Sequence, residues 1–259
     1  MFVALYGQLD RHAWCDDESE PAAHALFHEQ SLAMGWLDDR SAGGGLEATM
    51  VRAPGLWAMN DAGWDHPLAG PETGLISWFQ VEASAVADDR PLPVRPFLRC
   101  AEDATARIGT LALSSVQLLI PVQGIDVSSR PRYAPVPSMM TLYWFARSNP
   151  DSATQVEILL DSGQDPSVPA VASDLADTLN RLRQNVFVVR SVDDVGQQVE
   201  LAALIDAHLW HGPRRYGATL RGELAEWSCG AIGWVAEVIA DSLAQMGLQS
   251  PLLLGVKRI

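Results

Sequence analysis

Tyr216 to Arg258 read YGATLRGELAEWSCGAIGWVAEVIADSLAQMGLQSPLLLGVKR, a stretch that predicts a strand, an amphipathic helix and a second strand. From Tyr216 to Glu226 apolar residues alternate with polar ones, which is the period of a half-buried strand. Ser228 stands where a helix N-cap is expected, an apolar stripe follows at helical spacing, and Gly247 supplies a stop. The apolar run after Pro251 predicts a strand covered on both faces. If the two strands share a sheet, their connection is a right-handed crossover.

The other secondary structure is predicted from similar patterns. In the first half we expect a helix and several strands: the helix at 21–37, and strands at 2–9, 46–52, 75–85 and 108–120, with a loop at 88–96. In the second half we expect a hairpin and two helices around a β-branched strand: the hairpin strands at 139–146 and 154–161, the first helix from Asp165 or Ser167 to Leu182, the strand at 186–189, and the second helix at 194–211.

Prolines divide the chain near its middle. Residues 122–138 contain several prolines together with glycine and serine, a composition that resists helix formation. We therefore predict a strand-rich N-terminal lobe at 1–121, a linker at 122–138 and a C-terminal lobe at 139–259. No sequence repeat relates the two lobes.

Helices that alternate with strands must cover a sheet. The predicted fold class is therefore α+β or α/β, a layered sandwich with a mixed β-sheet, helices packed on the sheet and a C-terminal β-α-β unit. The predicted order leaves open a ferredoxin-like variant, with two ferredoxin-like lobes.

Composition restricts the partners. The chain of 259 residues carries a formal net charge of −14, so its averaged field repels nucleic acid and anionic membrane surfaces. The sequence shows neither a signal peptide nor an apolar run of the roughly 18 residues that a transmembrane helix needs. Three widely spaced cysteines suit a reducing compartment, which predicts a cytoplasmic protein. No motif for a phosphate group, a dinucleotide or zinc is present, and we expect no cofactor.

Cys229 is the candidate nucleophile. It follows Ser228 in the predicted first turn of the last helix, where free amides and the helix dipole can lower the pKa of a thiol. The nearest histidines in sequence, His208 and His211, are candidates for its general base, and Glu226 or Glu223 is a candidate to orient that base. The alternative is that Cys229 is a small hydrophobe packed between helix and sheet.

His24 and His28 raise the question of a metal site. They stand four residues apart on a predicted helix, a spacing at which two side chains can bind one ion. No HExxH pattern and no later Cys/His pair completes a ligand set, so we predict no metal site and interpret both as surface histidines.

Tryptophans and two arginines are the candidate binding residues. The chain contains nine tryptophans, and indoles often lie at pocket rims and interfaces. The candidates among them stand in the second lobe, where basic residues gather at Arg214 and Arg215. The candidates for ligand or partner binding are Trp210, Trp227, Trp234, Arg214 and Arg215.

Two classes of function follow. The first is a cytoplasmic binding or assembly module without catalytic activity, which engages a protein partner or a second copy of itself. The alternative is a thiol-dependent hydrolase or transferase that uses Cys229 with His208 or His211. Reactivity of the Cys229 thiol separates the two classes.

Overall fold

The computed structural model describes residues 1–15, 21–37, 56–66, 69, 74–83, 88–195 and 216–259. Four α-helices and eight β-strands occur in this part of the chain. In order they are β1 (Phe2–Arg11), α1 (Ala23–Ala33), β2 (Trp57–Gly63), β3 (Leu75–Ala83), α2 (Val94–Ala106), β4 (Gly109–Ile120), β5 (Thr154–Asp161), α3 (Ser167–Arg181), β6 (Phe187–Val195), β7 (Gly217–Leu224), α4 (Cys229–Gln245) and β8 (Leu252–Arg258).

The eight strands form one open sheet in the order β2-β3-β1-β4-β8-β5-β7-β6. Every ladder between these strands is antiparallel. The fold is therefore α+β, and the expected mixed sheet is wrong. The reason is that β7 and β8, which are parallel to each other, are not neighbours, because β5 lies between them and is antiparallel to both.

Both halves of the chain have the same order of elements. Each contains strand, helix, strand, strand, helix and strand, and the two series meet where β4 pairs with β8. Ser115 to Ile120 of β4 lie opposite Leu252 to Lys257 of β8. The sheet is thus continuous across the middle of the chain, and residues 122–138 connect two series of strands within one sheet.

The C-terminal unit has the predicted order of strand, helix and strand, but the expectation of an amphipathic helix is wrong, because nearly every residue of α4 is buried. The hydroxyl of Ser228 accepts a hydrogen bond from the Ala231 N–H and caps α4, which begins at Cys229. Gly247 follows the helix with a φ of +93°, a conformation that favours glycine. Most of α4 is buried, and its apolar residues belong to the same core as those of α1 to α3 and alternate residues of the strands.

Several predicted elements differ from the observed ones. The predicted strand at 139–146 is a 3₁₀ helix, Pro137–Arg147. The predicted loop at 88–96 ends in α2, which was not expected. The predicted helix cannot begin at Asp194, because β6 pairs with β7 as far as Val195. The predicted strand at 46–52 and the rest of the predicted helix at 194–211 lie outside the described residues.

None of the helices in the described ranges combines the length and apolar composition needed to span a bilayer.

Two acidic side chains of α4, Glu237 and Asp241, are buried one helical turn apart. Asp241 accepts hydrogen bonds from Ser138 and Arg130. Glu237 accepts one from the backbone N–H of Arg95, at 2.9 Å, near the start of α2. These carboxylates tie α4 to α2 and to the segment that follows β4.

Glu237 is only partly satisfied. Its Oε2 is buried without a hydrogen-bond partner among the described residues, and burial raises the pKa of its carboxyl group to about 8. The approach of α2 and α4 is close at this point: a Cβ added to Gly233 would lie 2.7 Å from the Arg95 Cα. Glu237 therefore satisfies an early amide of α2, at the expense of a carboxyl group that resists ionisation.

Replacement of Glu237 by Gln is expected to stabilise the protein at neutral pH. The carboxyl pKa rises from 4.5 to about 8 on folding, so between these values the folded state holds a proton that the unfolded state has lost. Wild-type stability therefore falls as pH rises through this window, and the loss reaches about 3 kcal/mol at pH 7. Urea unfolding of Glu237→Gln between pH 4.5 and 8 should show a flatter profile and a higher midpoint at pH 8.

The control is Glu29→Gln, the same chemical change at an exposed position of α1. It should leave the slope of stability against pH as in the wild type. A wild-type profile that rises across the window, or a Glu237→Gln variant that is less stable at pH 8, would contradict this account of the buried carboxyl group.

Candidate functional site

A cleft of about 670 Å³ opens where the two series of strands meet, beside the start of α4. Its walls come from the end of α2, the first half of β4, the residues before α4 and the end of β8. The lining side chains and strand residues are His12, Glu102, Asp103, Ala106, Gly109 to Leu113, Trp227, Ser228 and Arg258. This volume is in the range of sites that bind small molecules or short peptide segments.

The floor of the cleft is an edge of β4 that no described strand covers. β8 pairs with β4 only from Ser115 onward and ends at Arg258, so the preceding residues of β4 extend beyond it. On its other edge β4 pairs with β1 along its whole first half. Because β1 is longer than β8 at this end of the sheet, one edge of β4 faces the cleft.

Backbone groups on this edge point into the cleft in alternation. The Ile108 carbonyl accepts a hydrogen bond from the His12 N–H. The backbone N–H and C=O groups of the next even-numbered residues, Thr110 and Ala112, therefore also face β1. The N–H and C=O groups of Gly109 and Leu111 consequently face the cleft. The Leu113 carbonyl also faces it and accepts a hydrogen bond from the Trp227 indole N–H at 2.9 Å. The edge thus presents both donors and acceptors.

The start of α4 forms the adjacent wall. Ser228 donates a hydrogen bond to the Glu226 carboxylate, at 2.7 Å, and its hydroxyl accepts one from the Ala231 N–H, at 3.1 Å. The cap therefore satisfies one amide of the first turn, and Glu226 sets a negative charge beside the others. This arrangement makes the helix start a poor site for an anionic ligand.

Cys229 lies behind this wall and is fully buried. Burial, reinforced by the Glu102 carboxylate, raises the pKa of its thiol well above the ordinary value. The expectation that the helix start lowers this pKa is therefore wrong, because loss of water and a nearby negative charge outweigh the helix dipole. The thiol hydrogen-bonds to Glu102 and so helps to hold the side chain of this cleft residue in position.

Two carboxylates of α2 give the cleft an acidic side. Burial raises the pKa of the half-buried Glu102, while Arg99 and the Cys229 thiol act to lower it. Asp103 accepts a hydrogen bond from the Gln30 side chain at 3.1 Å. Both positions were missed by the sequence analysis because α2 was not predicted. Arg258 contributes an exposed positive charge at the opposite wall.

The structure places the other predicted binding residues apart. Trp227 lines the cleft, whereas Trp234 is buried in the core and donates its indole N–H to the Ser138 carbonyl at 2.9 Å. Trp234 thus links α4 to the segment that contains Ser138, and its buried side chain is not accessible to a partner. The remaining candidates lie outside the described residues: His208, His211, Trp210, Arg214 and Arg215.

His24 and His28 lie on α1, as predicted, with parallel rings whose centroids are 6.2 Å apart. Within the described ranges, no group of three or more His, Cys, Asp or Glu residues is arranged to hold a metal ion. The histidine that does reach the cleft is His12, at the end of β1, for which the sequence contained no motif.

No family model matches the sequence, and neither a curated protein nor a solved structure matches it.

Alkylation should show that the cysteines are unreactive in the native state. All three are buried, and burial raises the pKa of Cys100 to about 11 and that of Cys229 well above its ordinary value. Iodoacetamide at pH 8 is therefore expected to label the native protein slowly at every cysteine and the urea-unfolded protein quickly. Mass spectrometry of the digested peptides would measure each site.

Fast native labelling confined to Cys229, with an apparent pKa well below about 8.5, would contradict this account and support the thiol-dependent alternative. A Cys229→Ser variant identifies the peptide concerned.

Proposed function

We propose that this protein is a cytoplasmic binding module without catalytic activity, and that it engages a protein partner through the cleft. An extended segment of the partner adds to the edge of β4 at Gly109 to Leu113. The observation that carries the proposal is this strand edge, which lies open to a cleft large enough for a short segment. Strand addition is a common mode of peptide recognition because backbone hydrogen bonds supply affinity at any sequence.

The side chains around the edge define the chemistry of the partner segment. Five strand residues span roughly 17 Å, so the segment is about five residues long. Trp227 offers a flat apolar surface beside the edge, and Glu102 and Asp103 favour a Lys or Arg on the segment. The net charge of −14 adds a long-range attraction toward a basic partner.

The thiol-dependent alternative gains no support from the geometry. A nucleophilic cysteine needs an accessible thiolate, whereas Cys229 is buried and its pKa is raised. His12 lines the cleft, but Cys229 does not. The thiol instead hydrogen-bonds to Glu102, a residue of the cleft wall.

We also infer that the two halves are ferredoxin-like lobes, each with helices layered on its part of the sheet. The identical order of elements supports this inference, as does the strand order, which within each half is second, third, first, fourth. The lobes then join through their last strands, β4 and β8. In this arrangement the cleft forms at the junction of the lobes, because β4 extends beyond the end of β8.

Replacement of Ala106 by Trp should block the proposed site without disturbing the core. Ala106 is exposed at the end of α2 and lines the cleft, so a large side chain there fills space that the partner segment needs. Affinity capture from cell lysate, with quantitative mass spectrometry, should retain a specific partner on the wild type and lose it on Ala106→Trp. The purified partner should then bind the wild type alone in isothermal titration calorimetry.

Retention of the same proteins by both forms would overturn the strand-addition site. A wild-type protein that stays monomeric and retains no partner would overturn the binding function itself.

Removal of the two cleft carboxylates tests the preference for a basic segment. The double variant Glu102→Gln with Asp103→Asn keeps the shape of both side chains and should weaken binding of the captured partner by at least about tenfold. The matched control is Asp174→Asn with Asp177→Asn, which removes two exposed carboxylates from α3. Equal losses in the two double variants would show a general effect of charge, and no loss in either would contradict the preference.

A further inference from the structure

The 3₁₀ helix Pro137–Arg147 separates its side chains into three columns, because residues three apart overlap in a helix with three residues per turn. One column points into the protein: Phe145 is buried, and Met139 and Leu142 are half-buried against the core. The other two begin at the buried Pro137 and Ser138 and then turn exposed side chains outward. They carry Met140 and Tyr143 in one column and Thr141, Trp144 and Arg147 in the other.

The outward columns expose large apolar side chains. The exposed fractions are 60% for Met140, 80% for Tyr143 and 77% for Trp144. Together with Arg147, which is also exposed, these residues form what we call the aromatic patch. Three such residues within one short helix are unusual on a protein surface, where exposed apolar residues are normally scattered singly.

Contacts with the core hold the helix that carries the patch. Asp241 of α4 accepts hydrogen bonds from the Ser138 N–H and hydroxyl, at 3.1 and 2.8 Å. Arg95 of α2 donates to the Thr141 hydroxyl at 3.1 Å, and Phe145 packs edge-on against Trp234. The patch is thus presented by an anchored element, so binding need not order it first.

The stretch of chain that carries the patch has a charge opposite to that of the whole protein. Residues 127–147 contain Arg130, Arg132 and Arg147 and no Asp or Glu, whereas the chain has a net charge of −14. The Arg130 side chain is only 5% exposed and is bound to Asp241, at 2.6 Å, while Arg132 and Arg147 are exposed. The exposed part of this stretch therefore offers positive charge beside aromatic rings.

We propose that the aromatic patch is a second interaction surface, which takes an acidic segment of a partner protein that also carries an apolar side chain. Tyr143, Trp144 and Met140 are of the residue types that supply most of the binding energy in protein interfaces. Arg147 lies one 3₁₀ turn from Trp144, in the same column, where it can pair with a carboxylate of the segment. The charge preference is opposite to that of the β4 cleft, so the two surfaces select different segments.

Peptide display on the intact protein tests this proposal. A library of random twelve-residue peptides is selected on the wild type, with the Ala106→Trp variant used in parallel so that peptides of the cleft are recognised by their loss. Peptides that bind both forms are expected to be acidic and to contain an apolar residue. Their affinity, measured by fluorescence anisotropy, should fall at least about tenfold in Tyr143→Ala with Trp144→Ala, and in Arg147→Glu.

The matched control is Leu32→Ala with Met34→Ala, which removes two exposed apolar side chains near the end of α1. It should leave the peptide affinities unchanged. Enriched peptides that are neutral or basic, or that bind the patch variants as well as the control, would overturn the proposal, as would the absence of any enrichment outside the cleft. Sedimentation of the wild type gives a further outcome: self-association lost in the patch variants would show a second copy as the occupant and overturn the acidic-segment proposal.

Discussion

The antiparallel pairing of β4 with β8 is the contact that the whole sheet requires, because it joins two series of strands into one sheet of eight. The pairing covers only the second half of β4, from Ser115 to Ile120. The same contact that makes the sheet continuous therefore leaves part of a strand edge open. The cleft is a consequence of unequal strand lengths at a junction, and its side chains are supplied by the helices that flank that junction.

The backbone amides at the starts of α4 and α2 obtain their hydrogen-bond acceptors in different ways. At α4 the polar groups come from residues next to the helix: the Ser228 hydroxyl accepts the Ala231 N–H, and the Glu226 carboxylate accepts the Ser228 hydroxyl. Near the start of α2 the corresponding acceptor comes from Glu237 on another helix, where burial raises the carboxyl pKa to about 8. Local caps are stabilising at little cost, whereas a buried acidic acceptor opposes ionisation. The protein uses both, and the second ties its two central helices together.

Sequence periodicity predicted the C-terminal unit because its signals agree: alternation in β7, a capping serine before α4 and a glycine after it. The prediction failed where signals conflict. Pro96 suggested a loop, yet it lies in the first turn of α2, where its missing N–H costs nothing. The apolar run at 139–146 resembled a strand, but Pro137 begins a 3₁₀ helix in which Met139, Leu142 and Phe145 pack against the core while other apolar side chains are exposed. The cleft required α2 and the β4–β8 register, neither of which follows from local patterns. Cys229 was found at the predicted helix start, but its burial and its hydrogen bond to Glu102 depend on packing that the sequence does not reveal.

Amide hydrogen exchange of β4, resolved residue by residue by NMR in the free protein, shows whether this strand edge is open. We expect an alternation within one strand: the Thr110 and Ala112 amides, which face β1, exchange slowly, whereas the Gly109 and Leu111 amides, which face the cleft, exchange fast. Addition of the captured partner should slow the exchange of the second pair. Slow exchange of Gly109 and Leu111 in the free protein, equal to that of their neighbours, would show that the edge is already paired and would contradict the account.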